Sequence, residues 1–416
     1  MRITASDFPP GTPLRHFFAW NEAAWRPDRR YKLARDPDRV PQSAAGKRLR
    51  DSLAAAVGNP DAAAHAAVFA AFEELEQASR VGPRRILVIR LSALGDFIQA
   101  LGPIAAIRRH HEGDRVSLLT TQPLAGFAGE LGLFDEVLVD DRPGPLAPGG
   151  WLALRRRLRQ GRFDRVYDLQ TSQRSAVYAW VLRPRLPEWS GIAWGCSHPH
   201  ANLDRDPQHT LDKQAEQLLM AGIYPTPLPA LPALDRALPE QLAEQLDSQR
   251  GFVLLVPGSS PRHQEKRWPA VRFALLARAL DAAGIMPVVV GSAPETPLAA
   301  VIRAASPGAV DLVGRTDIAL LAALAQRARL TIGNDTGVCH LAAAAGCPVI
   351  VFFSRASDPA RHAPRGRLVR VFAAPELNDL AAETVIAEAM GILRGSNELP
   401  VTKLDPAVRV LSGSEP

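Results

Sequence analysis

Three short stretches combine hydroxyl or ionisable side chains with glycine at a spacing that suits a turn between a strand and a helix. In Arg90-Leu-Ser-Ala-Leu-Gly-Asp96, Gly95 permits a tight turn and Asp96 stands where a helix begins. A carboxylate there can cap the helix, or it can project into a cleft as a general base. In Pro257-Gly-Ser-Ser-Pro-Arg-His-Gln-Glu-Lys-Arg-Trp-Pro269, backbone N–H groups, the hydroxyls of Ser259 and Ser260 and the ammonium of Lys266 can together hold a diphosphate. The plainer alternative is an ordinary strand-to-helix loop with a solvated lysine. In Gly333-Asn-Asp-Thr-Gly-Val-Cys-His340, the trio Asp335, Thr336 and Gly337 falls at the start of an alanine-rich helix. The exposed N–H groups and the helix dipole favour an anion at that point. His340 lies one turn further along, near the same face.

Other chemistries find no support. No G-x-G-x-x-G follows a strand, and no Walker loop, H-E-x-x-H or G-x-S-x-G elbow occurs. No Asp/His cluster suggests a metal site, so no metal and no cofactor is expected. The three cysteines, Cys196, Cys339 and Cys347, form no CxxC pair and fit a reducing compartment. No apolar run reaches the roughly 18–20 residues that span a bilayer, and the N-terminus lacks the core of a signal peptide. These features predict a cytoplasmic protein, with peripheral contact at the inner membrane left open. The net charge of +6 suits an anionic partner, such as a phosphorylated glycan or an acidic membrane surface, or reflects solvated arginines. Nucleic-acid binding would rest on charge alone and is not expected.

The elements that must position these motifs are βαβ units. Apolar, β-branched runs at 84–91, 115–120, 135–140 and 164–169 alternate with helical stretches, including one from about Phe97 to His111. A Pro-rich stretch at 226–234 interrupts the pattern, which then restarts with runs at 251–258, 286–292, 330–335 and 348–353. This predicts an α/β protein with two Rossmann-like, doubly wound domains, whose ligands bind at the carboxyl ends of the strands, in a cleft the domains face. The expected division is an accessory extension over 1–83, an acceptor domain over 84–235, a nucleotide-sugar domain over 236–395 and a tail over 396–416. Within the extension, 44–80 reads as two Ala-rich helices broken at Gly58-Asn59-Pro60, while 1–43 shows no clear period. The apolar faces of those helices look too small to form a core alone, so they are expected to pack on the first domain or on a second subunit.

RILVIRLSALGDFIQALGPIAAIRR, YDLQTSQRSA, PGSS with KRWP, VVVGSAPE and GNDTGVCHLAAAAGCPVIVFF occur in the order and spacing of glycosyltransferase family nine, and residues 84–365 resemble that family. It includes the ADP-heptose:lipopolysaccharide heptosyltransferases. The resemblance implies the GT-B architecture and an inverting, metal-independent transfer from a nucleotide sugar. It implies that Asp96 is the catalytic base and that Lys266 binds donor phosphate, preceded by the hydroxyl pair Ser259 and Ser260. It further implies that Glu295 contacts the ribose, and that Asp335, Thr336, Gly337 and His340 form the donor turn, with Asp335 on sugar hydroxyls. Arg174 matches a basic position facing the acceptor. The partners implied are ADP-heptose and a lipopolysaccharide core acceptor, with a protein or another glycan as the alternative acceptor and an inactive scaffold as the non-enzymatic one. Two departures stand out. Ser354-Arg-Ala-Ser-Asp-Pro359 replaces the usual Gly-Pro-Thr-Asp-Pro-like loop, and Val338-Cys339 replaces the common Pro-Met.

Overall fold

A computed structural model describes residues 2–23, 29–78, 82–200, 202, 205–234, 236–246, 251–260, 263–395 and 409–412. Apart from 409–412, the expected tail lies outside these residues. The chain forms two compact units, Met1–Ser92 with Gly102–Pro227, and Ala93–Leu101 with Leu228–Pro416.

The first unit carries β1 (Arg85–Ile89), β2 (Arg115–Thr120), β3 (Glu136–Val139), β4 (Arg165–Asp168), β5 (Glu188–Gly191) and β6 (His198–Pro199). They pair in parallel in the order β3-β2-β1-β4-β5-β6. The sheet is covered on both faces, which is why β1 is apolar at every position from Ile86 to Ile89 and all four residues are buried. β5 and β6 were not expected, because neither Glu-Trp-Ser-Gly nor His-Pro carries an apolar run. They are strands because Tyr167 of β4 and Ser190 of β5 supply pairing edges. The helical stretch expected over 97–111 is two helices, Leu94–Gln99 and Leu101–His110, joined at Ala100.

In this Rossmann order the strand sequence reverses between β1 and β4, the topological switch point. Asp168 closes β4 there, fully buried, accepting N–H bonds from Gln170 (3.1 Å) and Thr171 (3.1 Å). Burial pushes its carboxyl up to about 6, against the partial offset of these hydrogen bonds. The folded state therefore holds a proton there that the unfolded chain gives up at lower pH. The associated stability is complete below about pH 4 and is lost as pH rises through 6. Asp168→Asn removes the titration. Between pH 4 and 7 the parent should lose up to about 3 kcal/mol of unfolding free energy relative to this variant. Denaturant melts of both proteins across that range check it, and parallel pH profiles would refute the assignment.

The extension belongs to the first unit. Residues 44–80 contain the helices Ala44–Ala56 and Ala62–Ala78, separated at Gly58-Asn59-Pro60 as expected. The aperiodic 1–43 also holds helices, at Pro13–Ala23 and Arg29–Arg35. Together with residues from the rest of the first unit, these elements share one core. Phe8, Phe17, Phe18, Tyr31, Phe69 and Phe72 are buried against one another, with Phe17 and Phe69 edge to face at 5.7 Å. Burying each such ring contributes about 1.5–3 kcal/mol. Leu219 of helix Thr210–Met220 completes this cluster and ties it to the rest of the unit.

The second unit repeats the plan with β7 (Phe252–Val256), β8 (Met286–Val289), β9 (Val310–Asp311), β10 (Leu330–Asn334), β11 (Val349–Phe353), β12 (Val369–Ala373) and β13 (Arg409–Ser412). The order is β13-β12-β11-β10-β7-β8-β9, parallel except for β13. Its switch point therefore falls between β10 and β7. The Pro-rich 226–234 carries neither helix nor strand.

Candidate active site

Because β10, β7 and β8 are neighbours, the loops at their carboxyl ends lie side by side: 257–260 after β7, 291–295 after β8 and 335–337 after β10. Asn334 ties the first to the third. It is fully buried, its Nδ2 donates to the carbonyls of Pro257 (2.9 Å) and Gly258 (3.1 Å), and its Oδ1 accepts from the Trp268 N–H (2.9 Å). Trp268 is itself buried, its indole N–H on the Leu380 carbonyl at 2.8 Å. Neither residue was expected as part of the site. The signal available was their position, Asn334 just before Asp335 and Trp268 two residues after Lys266.

These anchors hold Lys266 and Asp335 together. The ammonium donates to Asp335 Oδ2 at 2.7 Å, with both side chains largely buried. A charge pair this well covered is far less screened than one in solvent. It aims a cation at the switch point, beside the N-terminus of helix Gly337–Ala344. Thr336 caps that helix, and its buried hydroxyl finds no well-aligned hydrogen-bond partner among the described residues. Cys339 is a packing group, since burial pushes its thiol up to about 12 and its S–H reaches the Asn334 carbonyl at 3.2 Å.

The helix that carries Asp96 packs on this same helix. A Cβ on Gly337 would lie 2.8 Å from the Gly95 nitrogen, and one on Gly95 would lie 3.0 Å from the His340 ring. Glycine at both positions is what lets the two backbones approach, and it brings the helix of Asp96 against the 335–337 turn. Asp96 does cap its helix, its Oδ2 accepting from the Ala93 N–H at 3.1 Å, and it remains partly exposed. Capping and a chemical role are thus compatible for one carboxylate, which has two oxygens.

The remaining expected residues divide. Ser259 is buried and committed to the loop: its hydroxyl donates to the His263 carbonyl (2.8 Å) and accepts from Arg267 Nε (3.0 Å). Ser260 beside it is exposed. Glu295 is buried, accepting from the Ser292 N–H (2.6 Å) and hydroxyl (3.2 Å). A Cβ on Gly258 would sit only 1.8 Å from Glu295 Oε1, so the first loop leaves room for this carboxylate to reach it. Arg174 belongs to the first unit, where it donates to the Tyr178 hydroxyl (3.0 Å) and the Pro143 carbonyl (3.1 Å) and lies over the Trp151 ring. Among the described residues no group of His, Cys, Asp or Glu side chains is arranged to hold a metal ion, and no helix is long and apolar enough to cross a membrane.

The model of the family described as glycosyltransferase family 9 (heptosyltransferase) matches residues 151–387, more than half of the chain. The chain belongs to this family. The glycosyltransferase is 24% identical over 307 residues to the lipopolysaccharide core heptosyltransferase OpsX of Haemophilus influenzae, covering 71% of this chain and 86% of that protein. It is 25% identical to lipopolysaccharide heptosyltransferase 2 of Salmonella typhimurium, over 69% of this chain and 88% of the relative. Among solved structures, a glycosyltransferase of family 9 from Veillonella parvula superposes with a TM-score of 0.64 at 22% identity, covering 76% and 98% of the two chains. The ADP-heptose heptosyltransferase II of Escherichia coli gives 0.63 at 21%, covering 75% and 99%. These neighbours share its GT-B-like fold, and the family match begins at residue 151, after the helical extension and the first three strands.

Proposed function

We propose that this glycosyltransferase moves heptose from ADP-heptose to a lipopolysaccharide core acceptor, with inversion and without a metal ion, at the cytoplasmic face of the inner membrane. The observation that carries the reading is the Lys266–Asp335 pair beside the N-terminus of helix Gly337–Ala344, at the switch point of the second sheet. A developing diphosphate charge needs fixed positive potential, and an ammonium plus helix N–H groups supply it without reorganisation. Asp335 orients the lysine and accepts from sugar hydroxyls, and Glu295 accepts from the ribose. Asp96 takes the proton of the acceptor hydroxyl as that oxygen attacks the anomeric carbon. Relatives support the donor, since Escherichia coli WaaC has been solved with ADP and with ADP-2-deoxy-2-fluoro heptose.

A protein or another glycan is the second reading for the acceptor. What favours it is the extension, a helical element with an aromatic core of its own ahead of the matched region. Incubation of the purified protein with a panel of nucleotide sugars in EDTA tests the donor and the chemistry together. ADP release from ADP-heptose, at a rate indifferent to the chelator, is expected. Turnover of only a different nucleotide sugar, or activity abolished by EDTA, overturns the reading.

A further inference from the structure

One face of the first unit is amphiphilic in a way the transfer reaction does not use. Trp180 and Trp194 are 62% and 77% exposed, and the Arg183 guanidinium lies between them, 5.3 Å from one ring centroid and 5.6 Å from the other. Stacking a cation between two indoles holds both rings outward rather than letting them fold onto the surface. Val177, one turn before Trp180 on helix Gln173–Val181, extends the apolar stripe and is exposed. The neighbouring helix Pro148–Gln160 joins this patch through Arg155 and Arg159, which both donate to the Arg183 carbonyl, at 3.3 and 2.8 Å. Leu152, three residues before Arg155 and seven before Arg159, shares their face and is 68% exposed.

The charge of this region is one-sided. Residues 148–199 contain nine arginines and three carboxylates. None of the three opposes the patch: Asp164 accepts the Arg85 N–H, Asp168 is fully buried, and Glu188 is held by Arg84 and Arg165. The exposed Asp141 pairs with Arg157 of helix Pro148–Gln160, and the tryptophans that share a face with Arg155, Arg159 and Arg183 match the interface of an anionic bilayer. There indole rings sit at headgroup depth and each cation contributes about 1 kcal/mol near the surface. A soluble partner would demand shape complementarity, whereas a lipid surface demands only this composition. We infer that the Trp180–Arg183–Trp194 stack and the adjoining arginine face of helix Pro148–Gln160 dock this glycosyltransferase on an anionic lipid surface. The inference rests on the reading of a membrane-borne acceptor, yet vesicle binding needs neither donor nor acceptor, so the two can fail separately.

Flotation of the full-length protein with vesicles of phosphatidylethanolamine and phosphatidylglycerol tests it, with phosphatidylcholine vesicles as the neutral control. The parent should float with the anionic vesicles, less so as salt rises, and should stay behind with the neutral ones. The double variant W180A/W194A and the single variant W194D should each weaken partitioning by about 10-fold or more, with ADP release from ADP-heptose and thermal unfolding unchanged. W194D introduces a charge at a residue that is mostly in solvent, so it stays informative if the double variant folds poorly. A parent that ignores anionic vesicles, or variants that bind as the parent does, overturns the inference. So does a parent dimer in sedimentation that W194D dissociates, which would assign the patch to a second copy of the chain.

Discussion

Asp96→Asn is expected to lower the rate of sugar transfer by about 10²–10⁴-fold while donor affinity stays near that of the parent. The substitution isolates the proton-accepting role. Asp96 stands at N3 of its helix and accepts from the N-cap Ala93 N–H, a bond the asparagine carbonyl oxygen can keep, so stability should fall by no more than the charge–dipole contribution of about 1 kcal/mol. The side chain also keeps its volume beside the Gly95–Gly337 contact, where nothing larger fits. What it loses is a negative oxygen able to take a proton from the acceptor hydroxyl as that oxygen attacks. Single-turnover transfer and calorimetric titration with ADP-heptose, measured on the same preparation, separate chemistry from binding. Parent-like transfer would remove Asp96 from the mechanism and leave it as a cap.

Lys266→Ala should act on the other side of the reaction. It removes the cation at the switch point and strands Asp335, a largely buried carboxylate, beside the bound diphosphate. The lost charge-assisted hydrogen bond and the new repulsion both weaken the donor, by roughly 1–3 kcal/mol, or about 5- to 150-fold in Kd. Lys266→Ala/Asp335→Asn restores charge balance at the stranded site and should recover part of the stability but little of the donor affinity. Calorimetry with ADP reads the binding, and thermal unfolding reads the stability. Equal ADP affinity in Lys266→Ala and parent would exclude Lys266 from the phosphate site.

Parts of this protein are legible residue by residue. Long apolar runs such as Arg85–Ile89 and Val349–Phe353 declare buried parallel strands, because a sheet covered on both faces tolerates no polar alternation. Gly-rich turns bounded by Asp, Lys and Thr mark strand ends, and the order of those turns carries the family. Other parts are legible only in hindsight. β5 and β9 have no apolar signature of their own, since a short strand can be recruited by the edge of its neighbour. The helices of 1–43 have weak period because their aromatic residues pack on each other in a small cluster instead of lining one face against a sheet.

The sequence by itself determined the α/β class, the two βαβ series, the family and the residue types available for phosphate and proton chemistry. Tertiary structure decided which of those residues meet. Lys266 and Asp335 are 69 positions apart and pair only because β7 and β10 are adjacent at the switch point. The helix of Asp96 meets the 335–337 turn through two glycines, Gly95 and Gly337, whose roles become visible only once both backbones are in place. Ser259, read from the sequence as a ligand hydroxyl, also braces its own loop, because Arg267 folds back onto it. Trp180 and Trp194 lie outside while Tyr178 and Trp189, close to them in the chain, are buried, a division that only the folded structure shows. Local pattern specifies which backbone each segment adopts. Long-range closure specifies which polar atoms share a dielectric environment, and that is a property of the assembled sheet.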